Sequence, residues 1–283
     1  MYKIIFKSVL SSGVKLFKVD APLIAKKAQP GQFIILRIDE NGERIPLTIA
    51  EFDRTAGTVT LIFQEVGAST IELGRLKCGD ALTDIVGPLG KATHIEIDKT
   101  VVCIGGGIGI APIFPIARGM KEAGNEVVSI IGARSSDILF WEEEMQAVSH
   151  TLYVTTDDGT HGRKGLVTHV LQELIEAGKK IDEVIAIGPV IMMKFVAELT
   201  RKYNIPTVVS LNPVMIDGTG MCGGCRVQVG NENKFACVDG PEFDAHKIDF
   251  DGLMARQRFF KAQEKKALDL CQNAGGDHKC QCR

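Results

Sequence analysis

The sequence predicts a small antiparallel β-barrel, then a doubly wound parallel α/β sheet, then a short cysteine-rich unit with a helical extension. Three observations carry this reading. Residues 1–97 alternate short β-branched and apolar runs with turn dipeptides. Residues 98–211 alternate strand-like with helix-like runs. Residues 212–250 are glycine-rich and hold three of the eight cysteines, leaving 251–283 as helix and tail.

Barrel strands are expected at 2–10, 14–19, 32–38, 45–50, 58–63 and 81–86, where β-branched and apolar residues dominate. Turn signals separate them: Ser11-Ser12-Gly13, Gln29-Pro30-Gly31, Asn41-Gly42, Ala56-Gly57 and Cys78-Gly79-Asp80. Six strands at this spacing suit a small barrel or sandwich. A short helix is expected over 69–76. From about residue 100 the rhythm changes. Strands are expected at 100–104, 126–132, 152–156, 184–187 and 207–211, and helices at 111–123, 141–148, 166–177 and 191–203. Strand–helix alternation of this kind is a parallel sheet with helices on both faces. The pattern stops after Asn212. A last helix is expected over 253–266, before a polar tail.

Composition narrows the function classes. The 283 residues carry 33 Lys and Arg against 35 Asp and Glu, a net charge of −2. A dedicated nucleic-acid binder needs a basic face, so none is expected. No run reaches about 18 apolar residues, so no membrane span is expected. The first twenty residues are interrupted by lysines and lack a leader's apolar centre, so the cytoplasm is the expected location. In that setting the cysteines point to metal or redox chemistry rather than disulfides.

Two motifs carry chemistry. Gly105-Gly106-Gly107-Ile108-Gly109-Ile110-Ala111-Pro112 follows a predicted strand and opens a predicted helix. Glycines there let backbone approach a phosphate, and the helix start offers free N–H groups. The turn therefore reads as a dinucleotide site rather than a plain tight turn. The second motif is Asp217-x4-Cys222-x2-Cys225-x11-Cys237, in a loop with glycines at 218, 220, 223 and 224. Three thiolates and a carboxylate could wrap a 2Fe-2S cluster or hold zinc. The x4–x2 spacing favours the cluster, with Asp217 where a first cysteine would stand; its rival role is to cap the turn at Gly218. Arg44-Ile45-Pro46-Leu47-Thr48-Ile49 and Gln64-Glu65-Val66-Gly67-Ala68-Ser69-Thr70 are weak alone. Beside a nucleotide-binding sheet they make a flavin hypothesis.

Together with Gly87-Pro88-Leu89-Gly90 and Ile187-Gly188-Pro189, these motifs resemble the ferredoxin–NADP reductase superfamily over residues 1–265. The cysteine loop narrows the resemblance to iron–sulfur flavoprotein subunits. These are the electron-transfer subunits of dihydroorotate dehydrogenase B and, by Asp217 and the C-terminal extension, the small subunits of NADH-dependent reduced ferredoxin:NADP oxidoreductases. The resemblance implies FAD on the barrel. Pro46, Leu47, Thr48 and Ile49 would line its ring, with Thr48 as the catalytic group near N5 and Arg44 as the phosphate candidate. Gly67, Ser69 and Thr70 would hold its pyrophosphate. Gly105, Gly106, Gly107, Gly109, Ala111 and Pro112 would face the nicotinamide cofactor, with Arg134, Asp157, Asp158 and Gly159 nearby. Asp217, Cys222, Cys225 and Cys237 would bind 2Fe-2S. No thiol stands at Ile187, so proton transfer by one is not expected.

The expected function is a flavin oxidoreductase subunit. NAD(P)H would deliver a hydride to FAD, and single electrons would pass through the cluster to a larger flavo-iron-sulfur subunit, and to ferredoxin through the heterodimer. NAD(H) is favoured over NADP(H): Arg134, Ser135 and Ser136 suit a 2′-phosphate, but Asp137 would repel it. Two alternatives stand. One is the electron-transfer subunit of dihydroorotate dehydrogenase B; the other is a non-catalytic, zinc-containing nucleotide-sensing or assembly module. Cys78 and Cys103 read as packing residues. Cys271, Cys280 and Cys282 with His278 read as reduced thiols of a frayed end rather than a metal or docking site.

Overall fold

A computed structural model describes residues 1–273. The strands β1 (Tyr2–Ser11), β2 (Val14–Asp20), β3 (Phe33–Arg37), β4 (Ile45–Asp53), β5 (Thr58–Gln64), β6 (Ala81–Leu82) and β7 (Asp84–Leu89) form one barrel-like sheet in the order β6-β1-β2-β5-β4-β3-β7. Every pair in it is antiparallel. Its inside is apolar, with Phe17 and Phe63 edge to face at 5.1 Å and Ile34, Leu36, Ile49 and Leu61 buried around them. Each such side chain contributes about 1.5–3 kcal/mol on burial. Helix α1 (Pro22–Lys27) caps this core through Ile24 and Ala25, and α2 (Ala68–Arg75) through Leu73.

The single strand expected over 81–86 is two. At Thr83 the chain changes partner: β6 pairs with β1, and β7 pairs with β3. The Thr83 amide meanwhile donates to the carbonyls of Arg37 and Ile38. The last helix is also two, α7 (Phe250–Gln257) and α8 (Lys261–Asn273). Periodicity did not mark α1, which is too short to show one.

The second sheet contains β8 (Thr100–Gly106), β9 (Glu126–Ala133), β10 (Thr151–Thr156), β11 (Arg163–Lys164), β12 (Glu183–Ile187) and β13 (Thr207–Ser210), all parallel. Helices α3 (Ile110–Glu122), α4 (Glu142–Ala147), α5 (Val167–Glu176) and α6 (Val190–Lys202) connect them. The order is β11-β10-β9-β8-β12-β13, so the winding reverses between β8 and β12. Ligands of such sheets bind outside the strand ends at that reversal. Apolar residues of α3, including Ile110 and Phe114, share one core with Val14, Leu16, Ala50 and Ile62 of the barrel. That shared core fixes the barrel against the sheet.

The cysteine segment holds the hairpin β14 (Arg226–Val229) and β15 (Glu232–Phe235), then β16 (Glu242–Asp244). β16 adds antiparallel to the free edge of β13. The Leu211 amide donates to the Pro241 carbonyl at 2.9 Å, so the segment leaves and rejoins the sheet at one place. Helix α8 returns to pack on α2, and Cys271 of α8 is buried. Cys280, Cys282 and His278 lie outside the described residues. Among the described residues no helix is long and apolar enough to cross a membrane.

Candidate functional site

A cleft of about 950 Å³ separates the barrel from the C-terminal ends of the parallel strands. One wall is β4, with Pro46, Leu47 and Thr48; the other is the glycine turn, with Gly106, Gly107, Gly109, Ala111 and Pro112, and Arg134 and Asp157 stand further along it. The turn is tight for a steric reason. A Cβ at Gly109 would collide with the Ile187 carbonyl, and one at Gly105 would press on Ile113 and Ile110. Gly107 takes φ +56°, which suits glycine. Pro112 falls in the first turn of α3, where a missing N–H leaves no bond broken.

Other expected residues lie around the cleft rather than on its wall. Ile49 is buried in the barrel core, on the strand face opposite Thr48. Val66, beside Gly67, lines the cleft. The amides of Val66 and Gly67 both donate to Thr70 Oγ1 at 3.1 Å, and the Ser69 hydroxyl donates to the Glu43 carboxylate. Asp158 Oδ1 accepts from the Thr160 amide at 2.9 Å and hydroxyl at 2.7 Å, which hold its carboxyl below the usual range. Gly159 turns this loop at φ +81°.

The cysteine loop packs on the barrel. Cys225 and Cys237 are buried with Phe33, Ile35, Met215 and Ala236, their sulfurs 3.2 Å apart. Phe33 also lines the cleft, so one ring joins the two sites. Gly218, Gly220 and Gly223 take φ of +81°, +86° and +67°. A Cβ at Gly218 would come 3.0 Å from Leu89 Cδ1. The Gly224 amide faces the Cys222 sulfur at 3.4 Å, and the Cys237 amide faces Cys225 at 3.4 Å. The Gly224 amide draws the Cys222 thiol down, while burial and the neighbouring Cys225 push Cys237 up to about 12. Asp217 Oδ2 accepts from the Thr219 hydroxyl at 2.6 Å and from the amides of Thr219 and Met221 at 3.0 and 3.2 Å. Its other oxygen lies 4.0 Å from the Arg44 guanidinium. The structure thus brings Cys225 and Cys237 together, with Cys222 on the exposed loop and Asp217 capping that loop. Among the described residues no three such groups converge on a metal position. The donor chemistry nevertheless fits a thiolate-held cluster: soft sulfurs, two with backbone N–H groups aimed at them, in a loop where glycine leaves space.

Residues that the motifs did not single out complete the cleft: Met192 and Phe195 of α6, and Asn212, Pro213 and Met215 where the cysteine segment begins. The signal for them was positional. Ile187-Gly188-Pro189 ends a strand next to the winding reversal.

A barrel, a doubly wound sheet with a nucleotide-type turn, and a thiol loop sharing one cleft define a nucleotide-dependent electron-transfer oxidoreductase. Residues 103–198 match the oxidoreductase NAD-binding domain, and residues 212–249 match the iron–sulfur cluster binding domain of dihydroorotate dehydrogenase B. The second match replaces the zinc alternative with an iron–sulfur centre. The chain is 43% identical to the dihydroorotate dehydrogenase B (NAD(+)) electron transfer subunit homolog of Thermotoga maritima, over 97% of each chain. It is 34% identical to the corresponding subunit of Geobacillus kaustophilus, over 80% of this chain and 89% of that one. The chain belongs to the family of dihydroorotate dehydrogenase B electron-transfer subunits and their homologues. Among solved structures, that of an NADH-dependent reduced ferredoxin-NADP oxidoreductase, studied for flavin-based electron bifurcation, superposes with a TM-score of 0.90. It shares 43% identity and covers 94% of this chain and 96% of that one. The cofactor set of FAD, NAD(H) and a 2Fe-2S centre is the set this family and fold support.

Proposed function

We propose that the chain is the NAD(H)-side electron-transfer subunit of a reductase heterodimer, passing electrons to a larger flavo-iron-sulfur subunit and, through it, exchanging them with ferredoxin. The observation that carries this is the shared position of Phe33. It stands in the cleft between β4 and the glycine turn, and in the packed core under Cys225 and Cys237. Bound flavin supplies the exchange between a hydride and single electrons, and a bound cluster supplies a one-electron store.

The chain's own residues position and exclude. Pro46, Leu47 and Thr48 are assigned to the flavin ring, with the Thr48 hydroxyl at the reactive edge. The Val66–Thr70 turn, helped by Ser69 and Arg44, is assigned to the flavin phosphates. The turn Gly106–Gly109, between the end of β8 and the start of α3, is assigned to the nucleotide phosphates. Asp217, Cys222, Cys225 and Cys237 are assigned to the cluster. Asp157 lines the same cleft as Arg134 and favours NAD(H), since a 2′-phosphate bound near it would meet a carboxylate. A chain that keeps thiols free for a cluster suits a reducing compartment, the cytoplasm.

The test is the visible spectrum of the anaerobically isolated protein, with iron, sulfide and flavin analysis. Flavin bands over an iron–sulfur shoulder, bleached faster by NADH than by NADPH, are expected, and a colourless protein would overturn the reading. The kinship with dihydroorotate dehydrogenase B electron-transfer subunits favours a second partner, a dihydroorotate-oxidising subunit. Orotate-dependent activity in the native complex, without ferredoxin-linked activity, would select it.

A further inference from the structure

The ends of β8 and β12 form a notch of nearly bare backbone. Gly106 ends β8, and Gly188 follows the last residue of β12. The two strands come so close that a Cβ at Gly188 would lie 2.9 Å from the Gly106 carbonyl. One side chain fills this notch. A Cβ at Gly106 would strike the sulfur of Met192, and a Cβ at Gly188 would lie 2.8 Å from its terminal methyl. Met192 belongs to the first turn of α6 and is only half-buried at the cleft wall. The notch is also at the winding reversal, where a nucleotide on this sheet must present its reactive end.

We propose that Met192 is the gate of the nicotinamide subsite: its thioether fills the Gly106–Gly188 notch, and the nicotinamide ring enters by displacing it. This rests on the NAD(H) reading above. Methionine suits the task because it is unbranched, has three rotatable bonds and changes packing at little cost. The displaced sulfur has a place to go. Phe195 lies one turn further along the same face of α6, half exposed on the cleft, and offers an aromatic edge. A ring that must evict a side chain binds less tightly than the notch would otherwise allow. Met192 therefore sets affinity for the nicotinamide end alone and leaves the adenosine end untouched.

The experiment titrates the flavin-loaded protein with NAD+ and, separately, with ADP-ribose, which lacks the nicotinamide. In Met192→Ala the notch stands open. NAD+ should bind about three- to tenfold tighter, the range set by one thioether packing contact, while ADP-ribose affinity stays unchanged. Met192→Leu keeps the notch filled with a branched side chain that yields less readily, so NAD+ should bind no tighter than to the parent while ADP-ribose affinity stays unchanged. Unchanged or weaker NAD+ binding in Met192→Ala, or an equal change for both nucleotides, overturns the gate. Failure of the parent protein to bind either nucleotide overturns the NAD(H) reading and the gate together.

Discussion

The Thr93 hydroxyl donates to Glu242 Oε1 at 2.7 Å, tying the segment that leaves the barrel to the edge strand β16 of the parallel sheet. Gly31 makes room for this bond, because a Cβ there would press on both side chains. Burial, assisted by the nearby charge of Glu183, pushes the Glu242 carboxyl up to about 7. The folded state therefore holds this proton more tightly than the unfolded chain. The stability it contributes is fully present below about pH 4.5 and is lost as pH rises through about 7. Thermal melts at pH 5.5 and 8.5 should show Glu242→Gln losing less stability across that window than the parent, by roughly 1–2 kcal/mol. Equal losses would mean that the carboxyl is already ionised in the fold.

Asp217 is assigned to the cluster yet caps its own loop, and two substitutions separate these roles. Asparagine still offers an oxygen to the Thr219 and Met221 amides, but it is a poor iron ligand. Asp217→Asn should lose most of its iron and sulfide while the apo fold keeps its melting temperature. Asp217→Cys should keep the cluster and shift its potential, because a thiolate donates more electron density. Iron analysis and a potentiometric titration read both; full cluster content in Asp217→Asn at an unchanged potential would leave the carboxylate as a cap only.

Gly109→Ala places a methyl against the Ile187 carbonyl. A backbone clash of this kind costs about 1–3 kcal/mol. Part of it should appear as a lower melting temperature and part as loss of NAD+ binding by at least about tenfold. The flavin spectrum should survive, since the barrel wall is untouched. Titration of the flavin-loaded variant checks this.

Thr70→Ala removes the acceptor for the Val66 and Gly67 amides. Loss of such a helix-start acceptor costs about 1 kcal/mol, and the turn assigned to the flavin phosphates loosens with it. Faster release of FAD on dilution is the expected signature, followed by the recovery of free flavin fluorescence. An unchanged release rate would move the phosphate site elsewhere.

The sheets were legible because β-branched and apolar runs bounded by turn signals marked β1 to β5, and such runs separated by helices marked β8, β9, β10, β12 and β13; the two-residue Arg163–Lys164 strand β11 carries no such run. What stayed hidden depends on contacts between distant residues. Nothing near Thr83 says that the chain will switch from β1 to β3, and three-residue β16 exists as a strand only because β13 offers it an edge. Ile49 shows a local limit of another kind. The motif groups it with Thr48, but a two-residue period sends the two side chains to opposite faces. Met192 reads in sequence as ordinary helix packing, and only the glycines on two separate strand ends reveal what it covers. The cysteine motif was the reverse case, with spacing that spoke for its chemistry before any packing was known.

Leu211 and Pro241 meet at the foot of the thiol loop, so residues 212–240 depart and return through a single doorway. Between those two points the excursion is built into the scaffold: Val227 sits in the core of the parallel sheet, Val229 bridges to Ile248, and Cys225 and Cys237 pack on Phe33 and Ile35 of the barrel. The thiol loop and the nucleotide cleft therefore share a wall at Phe33, and whatever loosens the one disturbs the other.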